Sequence, residues 1–433
     1  MKHRGTLGGL ITAALALGVM TPAPVYADEK GRTGPNNAIT DVPGVTVGHY
    51  TDTTNVTGTT ALILPDGALA GADVRGGAPG TVNTDALQPV ALQPDVHGLF
   101  LSGGSWMGLS PYAGVVQYLR ERGLGSQFGG QAVPAVGGAI VFDLGQGADT
   151  KQKLEKTPDF EFGYRAAKAA KSGPVAQGSV GAGTGTGTPG PTTRMKGGVG
   201  TASVDLGNGL YVGALVVLNS GGRVWSESQG CELYALYMEL QNEFGDTKRP
   251  TKCTTAAPAL DEDDGKLDKN TTIGVVATNA KLTSPQLQKM AQVAHDGLAR
   301  AIRPAHTMGD GDAIFSLSTR KADAPDGARF GAILDAAASA FSRGVVHATL
   351  RATPLAGRQT YCQVFTGACT GGLTTHGAAA PGTPNDQAPP TQPASDTHPL
   401  ITGPMALPGA ILASAAAFVM LRRRTWRLRP SST

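Results

Sequence analysis

The sequence is poor in charged residues and has almost no excess of either sign. Charged residues make up 16% of the 433-residue chain, and the formal net charge at pH 7 is +3, part of which belongs to the two chain ends. So small a charge argues against a nucleic-acid partner. The sequence also lacks an internal repeat and a strict alternation of strands and helices. Its mixture of both elements therefore predicts an α+β fold built in layers.

Glycine is instead abundant, with 61 residues, which indicates tight turns and close backbone approaches rather than coiled helices. The richest glycine run, at 178–187, lacks the Gly-Lys-Ser/Thr ending of a phosphate-binding loop, and no helix opens directly after it. We therefore predict that these glycines let the backbone approach a small ligand or a neighbouring strand, and not a nucleotide.

The N-terminus has the pattern of a secretory signal peptide over residues 1–27. Lys2 and Arg4 flank a histidine in a charged region, residues 7–20 are apolar, and a small-x-small cleavage pattern ends at Ala27. A short membrane anchor is the alternative, which the shortness of the apolar run disfavours. The mature chain would begin near Asp28.

The C-terminus carries a second apolar run. Residues 377–399 are rich in Pro, Ala, Thr and Gln, which predicts a disordered stalk. The apolar run after it is about 20 residues long, enough to span a bilayer, and three arginines then favour a cytoplasmic end. Residues 399–403 are similar to a sortase signal, but the first two residues are in the wrong order. The pattern therefore predicts an exported, cell-surface protein that a membrane helix and basic tail at 400–433 anchor.

Cysteine is scarce, and the four that occur suit an exported chain. Local pairing would join Cys231 to Cys253 and Cys362 to Cys369, one of three possible connectivities. Free buried thiols are the alternative.

The predicted domain spans residues 28–376, and within it one stretch changes abruptly from polar to apolar. A polar run at 247–269 is followed at 270–278 by β-branched, apolar residues that predict a buried strand. If the bond between Asn270 and Thr271 were cut, the new α-amine of Thr271, with an ordinary pKa of about 8, could act as base for its own hydroxyl. An ordinary strand-entry threonine and an Asn-Thr-Thr glycosylation acceptor are the other interpretations.

Further along, helical patterns are predicted at 285–302 and 330–343, and an acidic motif lies between them. His306, Asp310 and Asp312 could ligate a metal ion. The Asp-Gly-Asp sequence also fits a solvated turn. A third interpretation is a carboxylate pair that orients an N-terminal amine and hydroxyl.

Several motifs occur together in one order, at 73–81, 101–105, 180–184, 196–200, 213–219 and 270–278. Together they resemble the DmpA-type self-processing aminopeptidases, which include L-aminopeptidase/D-esterases, β-peptidyl aminopeptidases and a pantetheine hydrolase. The resemblance covers roughly residues 36–370. It implies a layered α/β/β/α sandwich of the DmpA and ornithine acetyltransferase type, no cofactor, and a homotetramer.

The resemblance also implies self-cleavage between Asn270 and Thr271 into two chains that stay together, with Thr271 as the nucleophile. Asn219 matches the asparagine of the family's oxyanion hole. Asp310 and Asp312 match a supporting pair, although a carboxylate at 310 replaces the family's hydroxyl residue.

The family's aromatic oxyanion partner falls near Phe142, which has no hydroxyl, so a second hydrogen-bond donor is unassigned. The predicted function is an exported, autoproteolytically activated aminopeptidase or amidohydrolase. It would remove N-terminal residues from small peptides, amides or esters, without a metal. The alternatives are a metal-dependent hydrolase that uses His306, Asp310 and Asp312, and a non-enzymatic surface binding protein.

Overall fold

The computed structural model describes residues 31–92, 95–145, 156–253 and 270–369. Its strands are β1 (Thr46–Asp52), β2 (Thr57–Val74), β3 (Thr81–Val82), β4 (Val96–Ser102), β5 (Ser126–Phe128), β6 (Gln131–Val133), β7 (Ala135–Ile140), β8 (Gly187–Pro189), β9 (Arg194–Lys196), β10 (Gly198–Asp205), β11 (Tyr211–Asn219), β12 (Trp225–Ser226), β13 (Glu232–Leu233), β14 (Thr271–Ala280) and β15 (Ala313–Ala322). Its α-helices are α1 (Pro111–Glu121), α2 (Phe160–Lys168), α3 (Ser284–Ala301), α4 (Gly327–Leu350) and α5 (Tyr361–Val364). Short 3-10 helices lie at Ile39–Asp41, Asp85–Leu87, Ser105–Leu109, Gly181–Gly183 and Leu236–Met238.

A mixed sheet in the order β10-β11-β14-β15-β2-β4-β7-β3 forms the centre, with β1 paired to β2. The 18-residue strand β2 joins two halves of this sheet, because its second half pairs with β15 and most of its first half with β4. The pairs β14–β15 and β4–β7 are parallel, and the other pairs of this sheet are antiparallel.

The two halves of the sheet face each other and carry helices on their outer sides. Leu215 and Ile273 from one half share a core with Leu62 and Leu99 from the other. Since side chains alternate along a strand, the neighbouring residues of β11 and β14 point outward and pack against α3 and α4. A smaller core lies between α1, α2 and the second half. This arrangement confirms the predicted α/β/β/α sandwich.

The predicted buried strand is β14, all ten residues of which are buried. It pairs antiparallel with β11, in a register that sets Thr271 opposite Asn219, and parallel with β15. A continuous run of β-branched and apolar residues suits a strand that is covered on both faces. The strand begins at the residue that the sequence marks as the nucleophile.

Helix α3 confirms the first predicted helix, with a capping box between Thr283 and Gln286 at its start. The helix predicted at 330–343 is longer in the structure. We expected it to end at Arg343, but α4 continues to Leu350. Arg343 does not mark an exposed end of the helix, because its side chain is fully buried and forms an ion pair with Glu243.

The local cysteine pairing is confirmed. Cys231 bonds to Cys253 and Cys362 to Cys369, with Cα–Cα distances of 5.4 and 5.5 Å. The alternative of free thiols is therefore wrong. Each disulfide lies wholly on one side of position 270.

The predicted membrane-anchored, cell-surface location has to be corrected. None of the helices in the described ranges is long and apolar enough to cross a bilayer. The 24-residue helix α4 carries Arg329, Asp335 and Arg343, and it packs against the sheet. The predicted signal peptide, stalk and anchor, at 1–27, 377–399 and 400–433, lie outside the described residues.

Candidate active site

Thr271 lies at the first position of β14, buried between β11 and β15. Its hydroxyl donates a hydrogen bond to the carbonyl oxygen of Asn270, the residue before it. The hydroxyl oxygen therefore lies against the peptide group that we predicted to be cut. Asn270 is itself 6% exposed, which does not suit a glycosylation acceptor.

The loop around Gly311 holds the same carbonyl from another side. The Gly311 N–H donates to the Asn270 oxygen at 2.8 Å, and the Asn270 N–H donates to the Gly309 carbonyl at 3.0 Å. A Cβ atom at position 311 would lie 2.7 Å from the Thr271 hydroxyl oxygen, so only glycine fits without displacement. The sequence does not reveal this backbone donor, and its only local signal is the Asp-Gly-Asp motif at 310–312.

Asp312 is buried and binds the start of β14 rather than the Thr271 hydroxyl. One carboxylate oxygen, Oδ1, accepts the Thr272 N–H at 2.7 Å. The other, Oδ2, accepts the backbone N–H of His306 at 3.1 Å and lies 2.8 Å from Nδ1 of the His306 ring. Asp312 thus links the residue after Thr271 to His306.

Asp310 has a different set of partners. Its Oδ2 accepts hydrogen bonds from the N–H and the hydroxyl of Thr307, at 2.9 and 2.7 Å, and its Oδ1 accepts the Gly221 N–H at 3.3 Å. Burial, and next the charge of Asp312, raise the pKa of Asp310. Asp310 therefore retains a proton more readily than an exposed aspartate does.

Asn219, opposite Thr271, has its amide held at both ends. Its Nδ2 donates to the carbonyl of Phe142 at 2.9 Å, and its Oδ1 accepts the Gly187 N–H at 3.0 Å. The first contact uses one of the two amide hydrogens. Phe142 therefore contributes its backbone carbonyl to the site, whereas the family resemblance concerns only the aromatic ring at this position. The last residue of the glycine run at 178–187 orients the asparagine.

Lys196 supports the same turn from within the core. Its ammonium group donates to the carbonyls of Gly183, Thr186 and Gly197 at 2.7, 3.1 and 3.0 Å. Burial, and next the charge of Arg358, lower the pKa of Lys196 well below its usual value. The sequence indicates Lys196 only as the first residue of the motif at 196–200.

Thr271, Asn219, Asp310 and Asp312 lie at one end of the half of the sheet that β10, β11, β14 and β15 form. Their roles in catalysis stay predictions. The solvated-turn interpretation of the acidic motif is wrong, because Asp310 and Asp312 are each 2% exposed. His306 and Asp312 do meet, but Asp310 faces Thr307. Across the part of the chain that the structure describes, no group of three or more His, Cys, Asp and Glu side chains is arranged to hold a metal ion.

Comparison with known proteins identifies the family to which the chain belongs. Residues 37–362 match Peptidase family S58. The chain belongs to this peptidase family. An uncharacterized aminopeptidase of Mycobacterium leprae is 39% identical over 360 residues, which cover 77% of this chain and 96% of that relative.

Solved structures show the same fold. A Burkholderia sp. beta-aminopeptidase matches 77% of this chain and 92% of its own, with a TM-score of 0.56 and 23% identity. The L-aminopeptidase D-Ala-esterase/amidase of Ochrobactrum anthropi matches 75% and 89%, with a TM-score of 0.56 and 24% identity, and is described as a variant of the Ntn hydrolase fold. The protein is thus a hydrolase of family S58 with an Ntn-type layered fold, and its relatives include aminopeptidases.

Proposed function

We propose that the protein is an aminopeptidase that cuts its own Asn270–Thr271 bond and then uses Thr271 as an N-terminal nucleophile. One observation carries this proposal. The Thr271 hydroxyl and the Gly311 N–H both contact the carbonyl oxygen of Asn270. A nucleophile beside a carbonyl whose oxygen already accepts a backbone N–H is the arrangement that acyl transfer requires.

Self-cleavage would begin with attack of the Thr271 Oγ1 on the carbonyl carbon of Asn270. Negative charge then develops on the carbonyl oxygen, where the Gly311 N–H stabilises it. The carbon–nitrogen bond breaks, the hydroxyl proton passes to the departing amine, and an ester joins the two residues. Water hydrolyses that ester, which leaves the carboxylate of Asn270 and a free amine on Thr271.

The family resemblance implies a hydroxyl residue, in many members, at the position that Asp310 occupies here. A protonated carboxyl group, like a hydroxyl, can donate one hydrogen bond and accept others. The raised pKa of Asp310 favours this protonated form. We assign Asp310 this proton-sharing role and Asp312 the role of holding the start of β14.

Turnover of an external substrate would repeat the acyl transfer. The free amine of Thr271 accepts the hydroxyl proton, and Oγ1 attacks the carbonyl of a small peptide, amide or ester. The remaining amide hydrogen of Asn219 stabilises the oxyanion, and water then releases the acyl group. The aminopeptidase names of the relatives support this substrate class.

The two fragments would stay together without a covalent bond. Each disulfide lies within a single fragment, Cys231–Cys253 before the cut and Cys362–Cys369 after it, whereas β11 and β14 pair across the cut. We expect one species in native buffer and two bands on a denaturing gel without reducing agent. The homotetramer implied by the family resemblance stays a prediction that light scattering can check.

The test is N-terminal sequencing of the purified protein together with variants at position 271. Wild type should give a second chain that begins at Thr271. Thr271→Ala should remain whole and inactive, whereas the matched variant Thr271→Ser keeps a hydroxyl and should still cut itself. An uncut Thr271→Ala protein that hydrolyses L-alanine p-nitroanilide as fast as wild type contradicts the proposal.

A further inference from the structure

His306 occupies a strained backbone conformation beside the proposed nucleophile. Its φ angle is 59°, in the left-handed region that glycine, asparagine, aspartate and histidine adopt more readily than other residues. In this conformation both its backbone N–H and its ring Nδ1 meet a single oxygen of Asp312. Backbone strain of this kind persists where the surrounding contacts require it, and it is concentrated at functional sites.

The ring has a defined hydrogen-bonding role on this side. The ring nitrogen Nδ1 lies 2.8 Å from Oδ2 of Asp312, which also accepts the backbone N–H of His306, so we assign the ring proton to Nδ1. The ring's other nitrogen, Nε2, is buried without a hydrogen-bond partner in the described structure.

A second histidine packs against the His306 ring. The His295 ring packs edge-on at a centroid distance of 4.7 Å, and its Nε2 lies 3.0 Å from the carbonyl oxygen of Asp73. Asp73 is in turn paired with Arg75 at 2.6 Å. These contacts hold the His306 ring in place, so it acts as a fixed donor and not as a mobile side chain.

The other oxygen of Asp312 completes the connection to the nucleophile. It accepts the N–H of Thr272, the residue that directly follows Thr271. Rotation of the Asp312 carboxylate would release this N–H and move the first residue of β14 relative to the Asn270 carbonyl. Displacements of about 1 Å at a reacting atom can cost about a hundredfold in rate.

We propose that His306 is a positioning residue: its Nδ1–H fixes the Asp312 carboxylate, which in turn fixes the start of β14 and the Thr271 hydroxyl. This inference rests on the function proposed above, since it assigns a role in the Thr271 reaction. It gives His306 a place in the site that does not involve a metal ion.

Two substitutions to residues that tolerate a positive φ separate the effect of the side-chain N–H donor from that of the backbone. His306→Asn keeps an N–H donor close to the position of Nδ1, whereas His306→Gly removes the side chain and keeps the backbone N–H. The measurements are the rate of self-cleavage of the full chain, and kcat and KM of the cut protein with L-alanine p-nitroanilide. His306→Gly should slow both reactions by about tenfold or more through kcat, with little change in KM. His306→Asn should restore most of that loss.

Thermal unfolding of each variant separates folding from chemistry. If His306→Gly does not fold, His306→Asp replaces it in the comparison, because aspartate has the shape of asparagine but its ionised carboxylate cannot donate. The inference is overturned if His306→Gly, or His306→Asp in its place, reacts at the wild-type rates. It is also overturned if His306→Asn loses as much of each rate as that variant does. A wild-type chain that is not cut at Thr271 instead overturns the proposed function itself, whatever the His306 variants do.

Discussion

Two buried clusters of charged side chains contrast sharply in this protein. The first, the Glu243 cluster, joins Glu243 to Arg343 through contacts of 2.5 and 2.8 Å and to His347 at 2.8 Å. Asn37 adds a further hydrogen bond to the carboxylate. In this cluster an anion is fully enclosed by a cation and by hydrogen-bond donors.

The second, the Asp312 cluster, consists of His306, Asp310 and Asp312. Within the described ranges no lysine or arginine forms an ion pair with either carboxylate. Their partners are N–H and hydroxyl groups and one histidine ring. Two carboxylates therefore share a buried site without a full compensating positive charge.

The pKa values move in opposite directions for this reason. Burial alone would raise the pKa of Glu243, but the charge of Arg343 and the hydrogen bond with His347 outweigh it, so this pKa falls far below its usual value. Burial and the charge of Asp312 together raise the pKa of Asp310. Two carboxylates that are each at most 3% exposed thus have pKa values shifted in opposite directions, because Glu243 has a cation beside it and Asp310 has a second carboxylate.

The largest effect should come from breaking the paired cluster. Glu243→Gln leaves the Arg343 charge buried and unpaired, so the free energy of unfolding should fall by about 3–5 kcal/mol. Chemical denaturation measures it. The control Glu227→Gln removes a surface partner of Arg223 and should cost less than about 1 kcal/mol. Similar small losses in both variants would mean that the Glu243 cluster is not what stabilises the core.

The second-largest effect should come from replacing Asn219. Asn219→Ala should lower kcat for L-alanine p-nitroanilide by about 10²–10³-fold, the usual cost of one oxyanion donor. Asn279 is a matched control, since it is equally buried and bridges β11 and β14 at their other end. Asn279→Ala should change stability but not kcat. If both variants keep wild-type kcat, Asn219 has only a structural role.

Within the Asp312 cluster, the two carboxylates should not be equivalent. Asp312→Asn places an amide group between the Thr272 N–H on one side and the His306 donors on the other. Because the amide NH2 cannot accept, the donor on one side loses its acceptor. We therefore expect kcat to fall by about tenfold more than in Asp310→Asn. In Asp310→Asn the amide oxygen can keep both Thr307 donors, so that the amide NH2 faces only the longer Gly221 N–H contact of 3.3 Å. Steady-state turnover of L-alanine p-nitroanilide by the two variants measures the difference, and equal kcat values would argue against the division of roles.

The smallest expected effect is a pH dependence of stability that comes from His295, which packs on the Asp312 cluster. Burial lowers the pKa of His295 from 6.5 to about 3. Between these values the unfolded chain binds a proton that the folded chain does not, so stability falls as the pH falls below 6.5, by at most about 1.4 kcal/mol per pH unit.

The variant His295→Gln lacks this titrating group. Its unfolding temperature should therefore fall less steeply than that of wild type between pH 6.5 and pH 5. Parallel curves for the two proteins would show that His295 is not the responsible group.

Local patterns in the sequence were sufficient for much of the fold. The run of β-branched residues after Asn270 predicts β14, the apolar stripe at 285–302 predicts α3, and close spacing predicts both disulfides. These features depend on residues near each other in the chain, so periodicity and spacing reveal them. The resemblance to a known family added the proposed roles of Thr271, Asn219, Asp310 and Asp312.

Only the tertiary structure could decide which groups surround those residues. The Gly311 N–H reaches Asn270 across a separate loop, and the Phe142 carbonyl reaches Asn219 from the other half of the sheet. Glu243 and Arg343 meet although they are 100 residues apart, which also explains why α4 continues past a charged residue to Leu350. Such contacts depend on strand register and on the packing of distant segments. A backbone N–H or carbonyl is present at nearly every residue, so the sequence alone cannot show which of them reaches the site.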